Sequence, residues 1–389
     1  MTAGGGSGGH VTPVVAVLRE LGQRYPDAEV RFWCDRNFEP QARSLIAAYD
    51  ADLLVQTVIS GKLRRYHNMS IWQQLSRFRT IVWPNIRDVF KVAAGIIQCV
   101  WRLVRWRPDV IFTKGGYVCL PIGVAARILR IPLVIHDSDA HPGLTNRILA
   151  RWAHTILTGA PLEYYSYPAA RSRYVGIPVT VSLEDSSLTT AERRDKLGLT
   201  PDRPLVVCTG GGLGAQRINS AILDSLEVLL DDTSVVLVTG QSNYEEAMQQ
   251  AGEHASDSRL QIHPFISGKM HEYFAAADIV ITRAGMTTLV ELAELAKPIV
   301  IIPNIYLTGG HQSKNAAVYE ASGGAVVLSE EDFDTQPDLL IRTIRELLGD
   351  DERRHKMSES IKQLARPNAA RDTADAISSL LEVPRDRRA

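Results

Sequence analysis

Two glycine-rich turns, one near the start of each half, leave this chain few architectures. The first is Gly4-Gly5-Gly6-Ser7-Gly8-Gly9-His10 and the second Gly210-Gly211-Gly212-Leu213-Gly214-Ala215. Glycines let the backbone bend sharply, and a helix starting just after such a turn offers free N–H groups and a positive dipole end to an anion. Helical apolar spacing follows each turn, at 11–25 and 216–230. Short apolar runs that read as strands lie at 30–34, 110–113 and 132–136, then at 204–208, 235–239, 279–282 and 299–302. Between and after them, 122–129, 287–296 and 369–381 read as helices. Such alternation implies parallel sheets with helices on both faces. One glycine turn per half predicts an α/β chain of two Rossmann-like domains with parallel sheets facing an interdomain cleft.

The expected boundaries are a first domain over 1–178, a hinge over the polar stretch 179–203, a second domain over 204–368, and a C-terminal helix with a charged tail over 369–389. Only Met1 to Ala3 precede the first turn, against the roughly five residues usual for a strand, so the chain is expected to begin late relative to that strand. Both turns also fit the dinucleotide spacing G-x-G-x-x-G/A, with Asp35 where a ribose-binding acid would sit. Taken alone, that fits a nicotinamide oxidoreductase.

Composition narrows the partners. Apolar residues make up 45% and charged residues 22%, the balance of a soluble globular protein. Cys34, Cys99, Cys119 and Cys208 lie far apart with no metal-ligand spacing, which predicts reduced thiols in a cytoplasmic protein. A glycine run at the start does not read as a signal peptide, and the apolar stretch 89–104 is interrupted by Lys91, Gln98 and Arg102, so it should not span a bilayer. The net charge of −1 conceals an asymmetry: between Lys62 and Arg107 ten Lys/Arg accompany one acid, Asp88, giving +9 there and −10 elsewhere. Four of the six tryptophans (Trp72, Trp83, Trp101, Trp106) share that window. Cations with indoles suit an anionic membrane surface. Ile86, Phe90, Ala93, Ile97, Val100, Trp101 and Val104 recur there at helical spacing; the competing expectation is that this stripe packs into the domain.

Six blocks in order carry a family resemblance. They are Gly5-Gly6-Ser7-Gly8-Gly9-His10-Val11-x-Pro13; Gly115-Gly116-Tyr117-Val118; Ile131 to His136 continued by Pro142-Gly143-Leu144-Thr145-Asn146-Arg147; Arg283-Ala284-Gly285-x-x-Thr288-x-x-Glu291-Leu292; Lys297-Pro298; and His311-Gln312-x-x-Asn315-Ala316. Together they resemble the MurG family, the glycosyltransferases that make lipid II in peptidoglycan synthesis. The resemblance implies a GT-B fold and an inverting transfer from UDP-N-acetylglucosamine to the 4-hydroxyl of the N-acetylmuramyl unit of lipid I (undecaprenyl-pyrophosphoryl-N-acetylmuramyl peptide). It implies no obligatory metal, no cofactor and no nucleic-acid partner, at the cytoplasmic face of the cell membrane as a peripheral protein. No D-x-D is read here as a metal motif, and Asp350-Asp351-Glu352 reads as a solvated helix boundary. Charge on the departing diphosphate then falls to oriented N–H groups and helix dipoles.

By the same resemblance His10 is the general base, and Ser7, Gly8 and Gly9 line the site through their backbone. Glu291 accepts the ribose hydroxyls, Met286, Thr287 and Thr288 bind the donor, Ile266 meets uracil through its backbone, and Gln312 meets the donor sugar. Each has a plainer alternative: a local hydrogen bond for His10, a capping box with Thr288 for Glu291, a core position for Ile266, a polar loop for Gln312. The chain departs from the family at several places. Asp139, in His136-Asp137-Ser138-Asp139, stands where the family has asparagine; Gly212 replaces a serine, Gly310 an aspartate, and Thr180 the arginine of the hinge. An acid at 139 near a diphosphate, without that arginine, needs compensation from a cation such as Arg147, from its own protonation, or from a differently placed sugar; otherwise it only caps a turn. These departures leave open another lipid acceptor, a UDP-sugar epimerase, or an inactive binding subunit.

Overall fold

The computed structural model describes residues 1–5, 11–47, 49–62, 72, 76–179, 181–211, 214–305 and 310–382. The chain divides into two compact units, Met1–Val179 with Arg366–Ala389, and Thr180–Ala365.

The first unit holds β1 (Thr2–Ala3), β2 (Arg31–Cys34), β3 (Leu54–Thr57), β4 (Ile111–Thr113), β5 (Leu133–Asp137), β6 (Thr155–Thr158) and β7 (Ser172–Tyr174). They form one parallel sheet in the order β3-β2-β1-β4-β5-β6-β7. Strands buried on both faces need apolar residues throughout, and Phe32, Trp33, Ile111, Phe112, Val134 and Ile135 are sealed from water. The second unit repeats the scheme with β8 (Leu205–Thr209), β9 (Ser234–Val238), β10 (Leu260–His263), β11 (Ile279–Thr282), β12 (Ile299–Ile301) and β13 (Ala325–Val327), ordered β10-β9-β8-β11-β12-β13. In each sheet the strand order reverses beside the strand that enters the glycine turn, the place where doubly wound sheets bind ligands at their carboxyl edge.

Three expectations are revised. The helix expected over 216–230 is two, Gln216–Leu223 and Leu226–Asp232, because Asp224 and Ser225 end the first. The stretch 179–203 is not a bare linker. Thr189 and Glu192 form a capping box that starts the helix Thr190–Lys196. Its Arg193 forms a buried ion pair with Glu272, and its Arg194 holds Asp278 at 2.7 Å and the Ala276 carbonyl at 3.0 Å. That anchors the segment to the second unit. The C-terminal helix Ala369–Leu381 belongs to the first unit, where Ala374, Ala376 and Ile377 join the core of Val14, Val17 and Leu18 from the helix Thr12–Arg24.

The apolar stripe does not turn inward. In the helix Trp83–Arg105 the buried positions are Asp88, Gly95, Cys99 and Leu103, whereas Phe90, Ile97 and Val104 are 71%, 72% and 64% exposed. Gly95 dictates this orientation: a Cβ there would stand 2.0 Å from the Ile59 carbonyl oxygen, so the helix seats against the end of β3 through that residue. Among the described residues, no helix is long and apolar enough to cross a membrane. All four cysteines are free and buried.

Candidate active site

The first unit's carboxyl edge is built around buried charge. Lys114 follows β4 directly, its N–H donating to the Ala3 carbonyl at 3.0 Å, and only 1% of it is exposed. Its ammonium donates to Ser138 Oγ and lies 2.9 Å from His136 Nδ1. His136 Nε2 is 2.8 Å from the Gly176 carbonyl. A carbonyl only accepts, so Nε2 carries the proton and Nδ1 accepts from Lys114. Beside them Asp137 accepts from the Tyr167 hydroxyl at 2.6 Å, and the Tyr165 hydroxyl donates to the Asp139 carbonyl at 2.7 Å. Burial pushes the Asp137 pKa up to about 7, with Tyr167 opposing and Asp139 adding to the rise. Burial pulls Lys114 down to about 7, against the pull of Asp137 and Asp139.

The loop after Lys114 closes on the first glycine turn. Gly115 and Gly116 have φ of +90° and +85°, and a Cβ on Gly116 would stand 2.8 Å from the Gly5 carbonyl oxygen. Asp35 is 3% exposed; its Oδ1 accepts the Phe38 N–H at 3.2 Å, and a Cβ on Gly5 would meet its Oδ2 at 2.6 Å. That carboxylate closes a turn under the glycines, which removes the support that Asp35 lent to a dinucleotide site.

The second unit's edge relies on backbone. Gly285 caps the helix Met286–Glu294, and the first helical bond runs from Leu289 N–H to the Gly285 carbonyl at 3.0 Å. The N–H groups of Met286, Thr287 and Thr288 precede that bond, so they form the helix's anion-binding end. Because the helix begins at Gly285, Thr288 is not its cap and the capping-box alternative for Glu291 fails. Glu291 lies one turn further in, with His271 Nε2 3.6 Å from its Oε1. His271 Nδ1 accepts from the Ser182 N–H at 3.4 Å, which leaves Nε2 facing Glu291, and the nearby carboxylate raises the His271 pKa. Burial, then Glu291, pushes Glu294 up to about 7.

Around this helix the turn residues are fastened. Arg283 pairs with buried Glu330 and donates to the Ile302 carbonyl at 3.1 Å, and Asn315 donates to the Ala284 carbonyl at 3.0 Å. Gln312 Oε1 accepts the Asn304 N–H at 2.8 Å. Ile266 is half-buried in the loop after β10, next to Phe265 at 62% exposure, and is not a core residue. In the second glycine turn Gly211 and Gly214 have φ of +75° and +74°, and Thr209 Oγ1 accepts the Gly211 N–H at 3.1 Å. Asp350 caps the helix Asp351–Lys362 by accepting the Arg353 N–H, in line with the solvated-boundary reading.

Thus Met286, Thr287, Thr288 and Glu291 share one helix start, tied through Asn315 to the helix His311–Ala321 that carries Gln312. Asp139 lies on the other unit's edge. His10, Ser7, Gly8, Gly9 and Gly212, and with them Thr180, lie outside the described residues. Sequence reasoning missed Lys114 and His271. The signal for Lys114 was a lysine wedged between a buried apolar strand and Gly115-Gly116; His271 left none, since nothing local links it to Glu291.

Models of the glycosyltransferase family 28 N-terminal domain and C-terminal domain match residues 1–158 and 205–373. Two parallel sheets of this order, each with a glycine turn at its reversal point, together with those matches, define a glycosyltransferase of the GT-B fold. A Caldanaerobacter subterraneus protein named UDP-N-acetylglucosamine–N-acetylmuramyl-(pentapeptide) pyrophosphoryl-undecaprenol N-acetylglucosamine transferase is 32% identical over 95% of this chain and 96% of its own. A Bacillus cereus protein of the same name, numbered 1, is 30% identical over 98% and 99%. The crystal structure of Acinetobacter baumannii MurG matches with a TM-score of 0.74 at 25% identity, covering 97% of this chain and 98% of that one. The chain belongs to the MurG family.

Proposed function

We propose that this enzyme transfers N-acetylglucosamine from UDP-N-acetylglucosamine to the 4-hydroxyl of the N-acetylmuramyl unit of lipid I, releasing UDP and lipid II. The observation that carries this reading is the full-length kinship to transferases so named, joined to a helix start that offers three N–H groups to a diphosphate. His10 takes the proton of the acceptor hydroxyl, the oxygen attacks the anomeric carbon, and the bond to the diphosphate breaks with its electron pair leaving on UDP, so the configuration inverts. Ser7, Gly8, Gly9 and Gly212 contribute backbone N–H groups near the reacting phosphate and sugar. Met286, Thr287 and Thr288 hold the diphosphate, Glu291 accepts the ribose hydroxyls, and the Ile266 backbone meets uracil. Gln312 meets the sugar through its Nε2, since its Oε1 serves Asn304. Asp139 meets a sugar hydroxyl as an acceptor only.

The enzyme docks on anionic lipid at the cytoplasmic face of the cell membrane through the helix Trp83–Arg105. Its exposed stripe of Ile86, Phe90, Ile97, Trp101 and Val104 is flanked by Arg87, Lys91 and Arg105, the last lying 3.6 Å from the Trp101 ring. An apolar face with flanking cations fits an interfacial helix.

Incubation with UDP-N-acetylglucosamine and lipid I should yield UDP and a lipid product heavier by one N-acetylhexosamine. Isomerised UDP-sugar with unchanged lipid would reject the transferase reading. Vesicle sedimentation should show binding that grows with phosphatidylglycerol content and falls with salt; equal partitioning to neutral vesicles would reject the docking.

A further inference from the structure

The acid pair in His136-Asp137-Ser138-Asp139 stands at an edge that, on the reading above, receives substrates carrying diphosphates. Two uncompensated carboxylates there would repel both. Arg147 is exposed, and its charge is felt at Tyr167. The cation that answers Asp137 and Asp139 comes instead from β4, beneath them. Lys114 Nζ lies on His136 Nδ1 at 2.9 Å and donates to Ser138 Oγ, so it grips residues on either side of Asp137. A lysine sealed from water is costly unless opposite charge faces it, and both Asp137 and Asp139 act on it in that sense. The other groups by the pair are His136, Tyr165 and Tyr167, with Arg147 of the helix Leu144–Leu149 acting on Tyr167. Lys114 is the cation among them that reaches the pair from within.

We propose that Lys114 is a positioning residue of the transfer reaction: it neutralises and orients the 137–139 segment so that an edge bearing two acids accepts an anionic diphosphate substrate. The proposal rests on the transferase reading, and its test separates the two.

The full chain is made as Lys114→Met, Asp139→Asn and the double variant. Each is followed by UDP release with UDP-N-acetylglucosamine and lipid I, and by melting temperature from pH 6 to 8. Lys114→Met should lose about tenfold or more in kcat/KM, chiefly through a raised KM, and its melting temperature should fall more steeply with pH than the wild type. Adding Asp139→Asn should return most of both losses, which the mere loss of two hydrogen bonds would not allow. A double variant as slow as Lys114→Met, or Lys114→Met with wild-type kinetics, overturns the proposal. If Lys114→Met does not fold, Asp139→Asn alone decides: since Asp139 raises the pKa of both Lys114 and Asp137, its removal should move the kcat/KM profile to lower pH, and an unmoved profile overturns the proposal. A wild type that makes no lipid II ends the transferase reading, while the melting slopes still report the charge balance on their own.

Discussion

The carboxyl edges of the two sheets share a topology and differ in material. The first is made of buried ionisable side chains: Lys114 set on His136, and Asp137 accepting from Tyr167. The second is made of backbone: a helix start at Met286, a glycine turn at Gly210, and one carboxylate steadied by a histidine. Fixed peptide dipoles hold a diphosphate without titrating and need no counter-cation. Buried ionisable groups are costlier and respond to pH. On the mechanism proposed above, the contrast separates two tasks within one repeated fold: nucleotide grip in one unit and proton handling beside the acceptor in the other.

The largest expected effect tests that division directly. His10→Ala should lower kcat by about a hundredfold or more while UDP affinity, measured by calorimetry, stays put. Loss of both together would mean that the first edge also grips the nucleotide. Next comes Glu291→Gln, which keeps an acceptor but loses charge-assisted bonds worth about 1.5–3 kcal/mol each. UDP should bind at least about tenfold more weakly with melting temperature unchanged. Normal affinity with a lowered melting temperature would reduce Glu291 to a structural partner of His271.

The smallest effect sharpens the claim that the second edge is nearly indifferent to pH. Besides His271, which Glu291 raises, its exception is Glu294, whose pKa is raised from 4.5 to about 7. An acid raised in the folded state binds its proton more tightly there, so its contribution is full below 4.5 and is lost as pH climbs through about 7. Glu294→Gln cannot ionise. Its melting temperature relative to wild type should therefore rise between pH 4.5 and 7.5, and a constant difference would show that Glu294 is solvated.

The two edges also differed in how much the amino-acid order revealed. Glycine turns, apolar strands and the Arg283 to Leu292 block are local patterns, and they marked β2, β4, β5, β8, β9, β11 and β12 and the helix Met286–Glu294. The fate of Thr288 and Glu291 needed the helix start itself, because a Thr-x-x-Glu spacing reads equally well as a cap. The same spacing at Thr189 and Glu192 proved to be a real cap inside the stretch read as a hinge. Polar composition suggested a linker there, while the partners that fold it, Glu272 and Asp278, lie about eighty residues downstream. Lys114 was hidden for the same reason: its role depends on β5 lying next to β4, which no window of sequence contains.

One feature of the first unit bears on how the chain is made. The helix Ala369–Leu381 completes the core over Val14, Val17 and Leu18, yet the whole second unit, Thr180–Ala365, is synthesised in between. At about 5–20 residues per second, ribosomes need roughly ten to forty seconds to traverse that insertion. During that interval the second unit has everything it needs to fold, whereas the first, begun earlier, waits with a strip of valine and leucine uncovered. The unit that leaves the ribosome first is thus the one that finishes last.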